Sequence, residues 1–170
     1  MGIGGNEKAD KLAHEAAISS GTALHTDTLA KSESKAVLRK YCYSSWNTEY
    51  QATEKGSNYK RFYPSIFIKP PDAASRKYET ILFRLRSGHC RLRANLFKIG
   101  CSDTQLCQFC NIPETVDHFL LECPEFEHHR TTLKSATRDL NLPFSLQNIL
   151  TDPRLLTNTV EFVLSCNKLV

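Results

Sequence analysis

The chain has 170 residues, 41% hydrophobic and 24% charged, with a formal net charge of +4. That size suits one domain or two small ones, and the mild positive charge permits nucleic-acid binding without requiring it. No apolar run approaches the roughly 20 residues of a membrane span, and the start lacks the basic and apolar regions of a secretory signal. The expected location is therefore the nucleus or cytoplasm, with no membrane partner. Seven cysteines, an odd number, argue against a disulfide framework.

The first predicted helix starts with Asn6 as its N-cap and Glu7 in the first turn, where the helix dipole favours an acid. Ala9, Leu12, Ala13, Ala16 and Ala17 follow at helical spacing, and Gly21 ends it. Residues 19–28, rich in Ser, Thr and Gly, read as a linker. A second helix is predicted over about 29–52, with Leu38, Cys42, Trp46 and Tyr50 on one face. Gly56, Pro64, Pro70 and Pro71 rule out a single helix over 53–75, and Ile66 to Ile68 read as a short extended piece. Ser75 caps a third helix that buries Tyr78, Ile81, Leu82 and Leu85 and is interrupted at Gly88. Leu92, Leu96 and Ile99 mark a fourth helix closed by Gly100. Pro124 opens another helix, running to about Leu140 with Phe126 and Leu133 inward. The last helix spans about Leu155 to Cys166.

Four of the seven cysteines lie between positions 101 and 123. Cys107-Gln-Phe-Cys110 places two thiols on one knuckle, and His118 and Cys123 follow on a predicted helix from Glu114 to Cys123. Two thiolates one tight turn apart, then an imidazole and a third thiolate, are the ligand set of a closed tetrahedral zinc site. With four protein ligands, no position is left for water, so the zinc is structural and not catalytic. Phe119, Leu120 and Leu121 would pack around it. Cys101 is a substitute ligand of lower rank. His128 and His129 read as a polar helix face.

Between Glu79 and Asp103 there is no acid, but there are Arg84, Arg86, His89, Arg91, Arg93 and Lys98. Such a run can track phosphates, with affinity that falls as salt rises. Arg84, Arg91 and Lys98 share a face if the helix continues past Gly88. A solvated basic face around Leu82, Leu85, Leu92 and Leu96 would give the same pattern.

The run Gly2-Ile3-Gly4-Gly5-Asn6-Glu7-Lys8-Ala9-Asp10-Lys11-Leu12-Ala13 resembles the end of a type 1 ribonuclease H domain of non-LTR retrotransposons. The resemblance covers about the first 20 residues. It implies that Asp10 is the fourth metal-binding carboxylate of that fold. Hydrolysis of RNA in RNA–DNA hybrids needs two Mg²⁺ ions roughly 3.5–4 Å apart, held by several carboxylates. Asp10 alone cannot supply them, so the Mg²⁺ belongs to the parent domain. Leu85-Arg86-Ser87-Gly88-His89, Ile99-Gly100, Cys107 to Cys110, Glu114-Thr115, His118 and Cys123-Pro124 are similar in order and spacing to the zinc-binding tail of jockey-type polyproteins.

The expected fold is mostly α. Short helices surround a structural zinc knuckle and follow the isolated last helix of a truncated ribonuclease H fold. The expected segments are 1–20 (ribonuclease H remnant), 21–75 (linker and helical segment), 76–140 (basic segment with zinc module) and 141–170 (C-terminal helix). The expected function is weakly sequence-specific binding of RNA, RNA–DNA hybrid or target DNA by a zinc-stabilised fragment that does not itself catalyse. Competing readings are a protein-interaction module, a ribonuclease restored by complementation from another chain, and a relic without function.

Overall fold

A computed structural model describes residues 4–18 and 30–168, and the side chains of all of these except 4–6, 16 and 17. Two compact units divide the chain, Met1–Tyr43 and Ser44–Val170. The regular elements among the described residues are all helices, and the only β pairing among these residues is a single bridge between Leu106 and Pro113. No helix among them is long and apolar enough to cross a membrane.

In the first unit, α1 spans Gly4–Ile18. It begins two residues before Asn6, so Asn6 lies in the first turn rather than at the cap. Leu12 of the alanine-rich stripe is exposed, as are Ala9 and Ala13. Gly21 and the proposed linker 19–28 lie outside the described residues. The second helix, α2 (Lys31–Ala52), crosses from the first unit into the second and buries no residue fully. Of its four-residue stripe, Leu38, Cys42 and Trp46 are exposed and Tyr50 is half-buried. Tyr50 Oη donates to Tyr63 O at 2.7 Å.

The second unit holds the core. Helix α3 (Ser57–Phe62) was not apparent in the sequence, because it buries only Phe62 and has no side-chain cap, so its six residues carry neither a stripe nor a start signal. Residues 66–68 form a turn and not an extended piece: Ile68 N donates to Ser65 O at 3.2 Å. Asn47 of α2 holds that turn, its Oδ1 accepting from Ser65 Oγ at 2.9 Å and from Ile66 N at 3.2 Å.

Helix α4 (Arg76–Ser87) forms as expected. Ser75 Oγ accepts from Tyr78 N, and Ile81, Leu82 and Leu85 are buried. It stops at Gly88, whose φ of 75° ends the helix in the left-handed region, so Arg84, Arg91 and Lys98 do not share one helix face. A side chain at Gly88 would meet two penalties. L-residues disfavour that φ, and an added Cβ would lie 2.4 Å from Asn58 Nδ2, which donates to Ser87 O. Gly88→Ala is expected to destabilise the unit by about 1–2 kcal/mol, read as a lower urea midpoint at unchanged slope.

Helix α5 (Arg93–Lys98) is short, with Leu92 buried at its start and Ile99 exposed at its end. The ligand segment follows, then a 3₁₀ turn (Pro124–Phe126) leading into α6 (Glu127–Asp139). Pro124 opens this helical stretch, and Phe126 and Leu133 face the core, as the sequence indicated. Helix α7 (Leu146–Thr151) was not anticipated. Ser145 caps it, and it buries Leu146, Ile149 and Leu150. Helix α8 (Leu156–Ser165) buries Val160, Phe162 and Val163 and packs on α4, α6 and α7. Residues after 140 thus share one core with the zinc segment.

Candidate metal centre

The knuckle is a narrow loop closed by backbone bonds. Cys107 N donates to Ile112 O at 2.7 Å, Glu114 N to Gln105 O at 2.9 Å, and Asn111 N to Cys107 O at 3.0 Å. Asn111 takes the left-handed conformation, φ 55°, which asparagine tolerates better than most residues. The loop therefore presents Cys107 and Cys110 to the same side.

The second half of the site departs from an ordinary α-helix. Thr115 Oγ1 accepts from His118 N at 3.1 Å, capping a helical start at Val116. From His118 to Glu122 the chain widens into a π turn, closed by Cys123 N donating to His118 O at 2.8 Å. Residues five apart on an α-helix point about 140° away from each other. The i→i+5 bond closes one turn over five residues, so His118 and Cys123 stand on the same side. Such π turns recur at functional sites.

The ligand atoms of Cys107, Cys110, His118 and Cys123 all lie within 4.8 Å of one another. Cys107 Sγ is 3.9 Å and Cys110 Sγ 3.8 Å from Cys123 Sγ, and Cys110 Sγ is 3.1 Å from His118 Nε2. Zinc–sulfur bonds of about 2.3 Å in a tetrahedron imply sulfur–sulfur edges of about 3.8 Å. The sulfurs are far outside the roughly 2.05 Å of a disulfide. Three thiols and an imidazole at tetrahedral spacing fit zinc. Cys101 is exposed and outside the cluster, and His128 and His129 are exposed on α6.

His118 is 2% exposed and presents Nε2 to the thiols. Its Nδ1 has no hydrogen-bond partner, and the carboxylate of Glu122, one turn on, lies 3.6 Å away. A carboxylate that accepts from the far nitrogen of a ligating histidine fixes the tautomer that leaves Nε2 to the metal; at 3.6 Å Glu122 is a neighbour of Nδ1 and not its hydrogen-bond partner.

Burial raises the Cys107 thiol, but N–H donation from Phe109 and Cys110 and the His118 side chain outweigh it and bring the thiol down to about 7. Burial and the neighbouring thiols push Cys110 up to about 12, and burial also raises Cys123. The three thiols do not ionise together unless a cation offsets their mutual repulsion, which is what zinc supplies.

Arg130 is the functional residue that sequence reasoning missed. It is fully buried. Nε donates to Leu120 O at 2.8 Å, and Nη2 to Phe119 O at 3.2 Å and Cys123 O at 2.9 Å. Its guanidinium also pairs with Glu127 at 2.6 Å. One side chain thus collects the carbonyls at the end of the ligand turn. Its position in a polar run, Glu127-His128-His129-Arg130, hid it, because a charged residue there reads as surface.

Glu114 is likewise buried. Oε2 accepts from Arg93 N at 2.8 Å at the start of α5, and Lys168 Nζ lies 2.8 Å from Oε1 as an ion pair without hydrogen-bond alignment.

The basic residues divide. Arg84, His89, Arg91 and Lys98 are exposed. Arg86 is 5% exposed, and its Nε donates to Leu150 O at 2.9 Å; it is part of the interior and not of a phosphate-facing surface. Arg93 is half-buried and lies across the knuckle, bonding Leu106 O and Gln108 Oε1. Asp10 is an exposed residue of α1.

Fold and site together define a helical domain organised around a Cys₃His structural zinc site. A family model described as zinc-binding in reverse transcriptase matches residues 42–128, just over half of the chain, and includes all four ligands. The chain belongs to this reverse-transcriptase-associated zinc-binding family. No match was found among curated proteins or among solved structures.

Proposed function

We propose that this chain is a nucleic-acid-binding zinc region from the tail of a non-LTR retrotransposon polyprotein. Residues 1–20 would be the end of a ribonuclease H domain that precedes it, and the site of action nuclear or cytoplasmic. The observation that carries the reading is the Cys₃His cluster inside the matched segment, beside an acid-free stretch whose Arg84, His89, Arg91 and Lys98 are exposed. The order Gly2 to Ala13, with Asp10 at the place of a metal-binding carboxylate, supports the ribonuclease H parentage. One carboxylate cannot hold two Mg²⁺ ions, so hybrid cleavage belongs to the parent domain.

The role of zinc here is to hold the scaffold. The residues that meet nucleic acid are the exposed cations, which contact phosphates and carry little sequence information. Titrating the zinc-loaded protein with labelled single-stranded RNA across salt concentrations tests this. The permanently charged Arg84, Arg91 and Lys98, taken as three phosphate contacts, predict a slope of about −2 in log affinity against log salt. Absence of binding at low salt would overturn the reading. It would favour a protein-docking module, for which the half-exposed Phe109 and Ile112 on the knuckle are the supporting observation.

A further inference from the structure

A cleft of ≈ 300 Å³ opens in the second unit between α3, the end of α4, α5 and residues 114–117 ahead of the ligand turn. That volume is at the low end for small-molecule sites. Its floor is apolar, formed by Leu85, Leu92 and Val116, and its rim is polar.

The charges around it do not balance. Both acids in the lining are committed: Asp117 pairs with Arg61 at 2.9 Å, and Glu114 with Lys168 at 2.8 Å. Arg86 also lines the cleft, buried, with no ion pair among the described residues. Nε donates to Leu150 O at 2.9 Å, but Nη2 has no hydrogen-bond partner, and the Tyr63 ring lies 5.4 Å from the guanidinium. A buried cation without a carboxylate is costly, and its field is focused into a cleft with low-dielectric walls. Exposed Lys98, likewise without an ion pair among the described residues, adds to it, and the exposed His89 imidazole lines the same cleft as a hydrogen-bonding group. Asn58 and Asn95 spend their Nδ2 groups on Ser87 O and Cys90 O, so each offers its amide oxygen as an acceptor. Beside Lys98, Phe97 is half-exposed, a surface on which a neighbouring base can stack.

We propose that this cleft receives one unpaired nucleotide of a single-stranded nucleic acid, its base over the apolar floor and its phosphate beside His89 and Lys98. Paired bases cannot enter, so the site selects single strands over duplex. The inference rests on the nucleic-acid reading above and adds a location and a strand preference.

The test uses the zinc-loaded full chain and fluorescence anisotropy with a labelled single-stranded RNA 12-mer. Ala94, which lines the cleft, is replaced by leucine to fill it without changing charge. Ala94→Leu should weaken single-strand binding about tenfold and leave the salt slope and duplex binding unchanged. Lys98→Ala should reduce the slope by about 0.7. A folded Ala94→Leu protein that binds the 12-mer like the parent overturns the cleft while the nucleic-acid reading stands. Should Ala94→Leu fail to fold, the exposed pair His89→Ala with Lys98→Ala carries the test, and unchanged affinity overturns the proposal. A nucleoside monophosphate that competes as tightly as the 12-mer itself replaces the strand with a free nucleotide. Absence of binding by the parent protein overturns the functional reading as well, which separates the two failures.

Discussion

Stripping zinc from the loaded protein is expected to abolish its cooperative thermal transition and lower its helical content. Structural zinc contributes on the order of 10 kcal/mol in zinc-finger peptides, while a whole domain is stable by about 5–15 kcal/mol. The site is not a peripheral clip. Phe119 and Leu120, the residues after His118, are fully buried, and the Phe119 ring contacts Phe126 and Phe162 at 5.1 and 5.3 Å. Loosening the ligand turn therefore opens the contact between the zinc segment and α8. Cys123→Ser should behave like chelation, because Cys123 is 1% exposed and a hydroxyl is a poor substitute for a thiolate on zinc. Acid should act in the same direction. Cys110 and Cys123, whose thiols are pushed up, must lose protons to bind, so zinc affinity falls as pH falls. Native mass spectrometry and circular dichroism, before and after chelation, read both quantities. Melting at the same temperature with and without zinc, or no bound metal under reducing and zinc-replete conditions, would sink the assignment.

The zinc ligands were legible because their chemistry is written in residue type and spacing: three Cys and one His within seventeen positions, at the spacing of a tetrahedral site, have few other uses. The buried face of α4 was legible for a different reason, since Ser75, Ile81, Leu82, Leu85 and Gly88 mark cap, stripe and stop at the period of one helix. What the sequence concealed has a short local signature or none. Helices α3 and α7 are six residues each, shorter than two turns, and are held by packing rather than by propensity. The turn at residues 66–68 is decided by Asn47, which lies some twenty residues earlier. The π turn at His118 is forced by the need to bring residues five apart onto one ion, a tertiary demand that spacing alone does not reveal. Arg86 looked like part of a basic surface because neighbours in sequence are cationic, yet it sits on the buried side of α4 with Leu82 and Leu85. Helical phase, and not charge, sorted Arg84 from Arg86.

Arg130→Met is expected to cost about 3–5 kcal/mol and to weaken zinc retention together with stability. Replacing buried ions by apolar side chains is often neutral, but that holds when both partners are replaced. Here the acceptors are the backbone carbonyls of Phe119, Leu120 and Cys123, which no substitution removes. Methionine fills much of the volume and takes the guanidinium donors away from the Phe119 and Leu120 carbonyls, at about 1–3 kcal/mol each where the group is fully desolvated, while the Cys123 carbonyl keeps the Phe126 N–H at 3.2 Å. Arg130→Lys separates charge from geometry. One ammonium keeps the charge but lacks the planar fork that reaches three carbonyls at once, so a loss smaller than that of methionine, yet clearly measurable, is expected. Since Cys123 is both a ligand and an Arg130 acceptor, the guanidinium sets the angle at which the ligand turn meets the knuckle. Urea unfolding of the zinc-loaded variants gives the stabilities, and competition with a chromophoric chelator gives the zinc affinity. An Arg130→Met protein within about 0.5 kcal/mol of the parent, the scatter of an ordinary surface substitution, would show that the ligand turn stands without its buried guanidinium. Lost stability with unchanged zinc affinity would confine Arg130 to the core and remove it from the metal site.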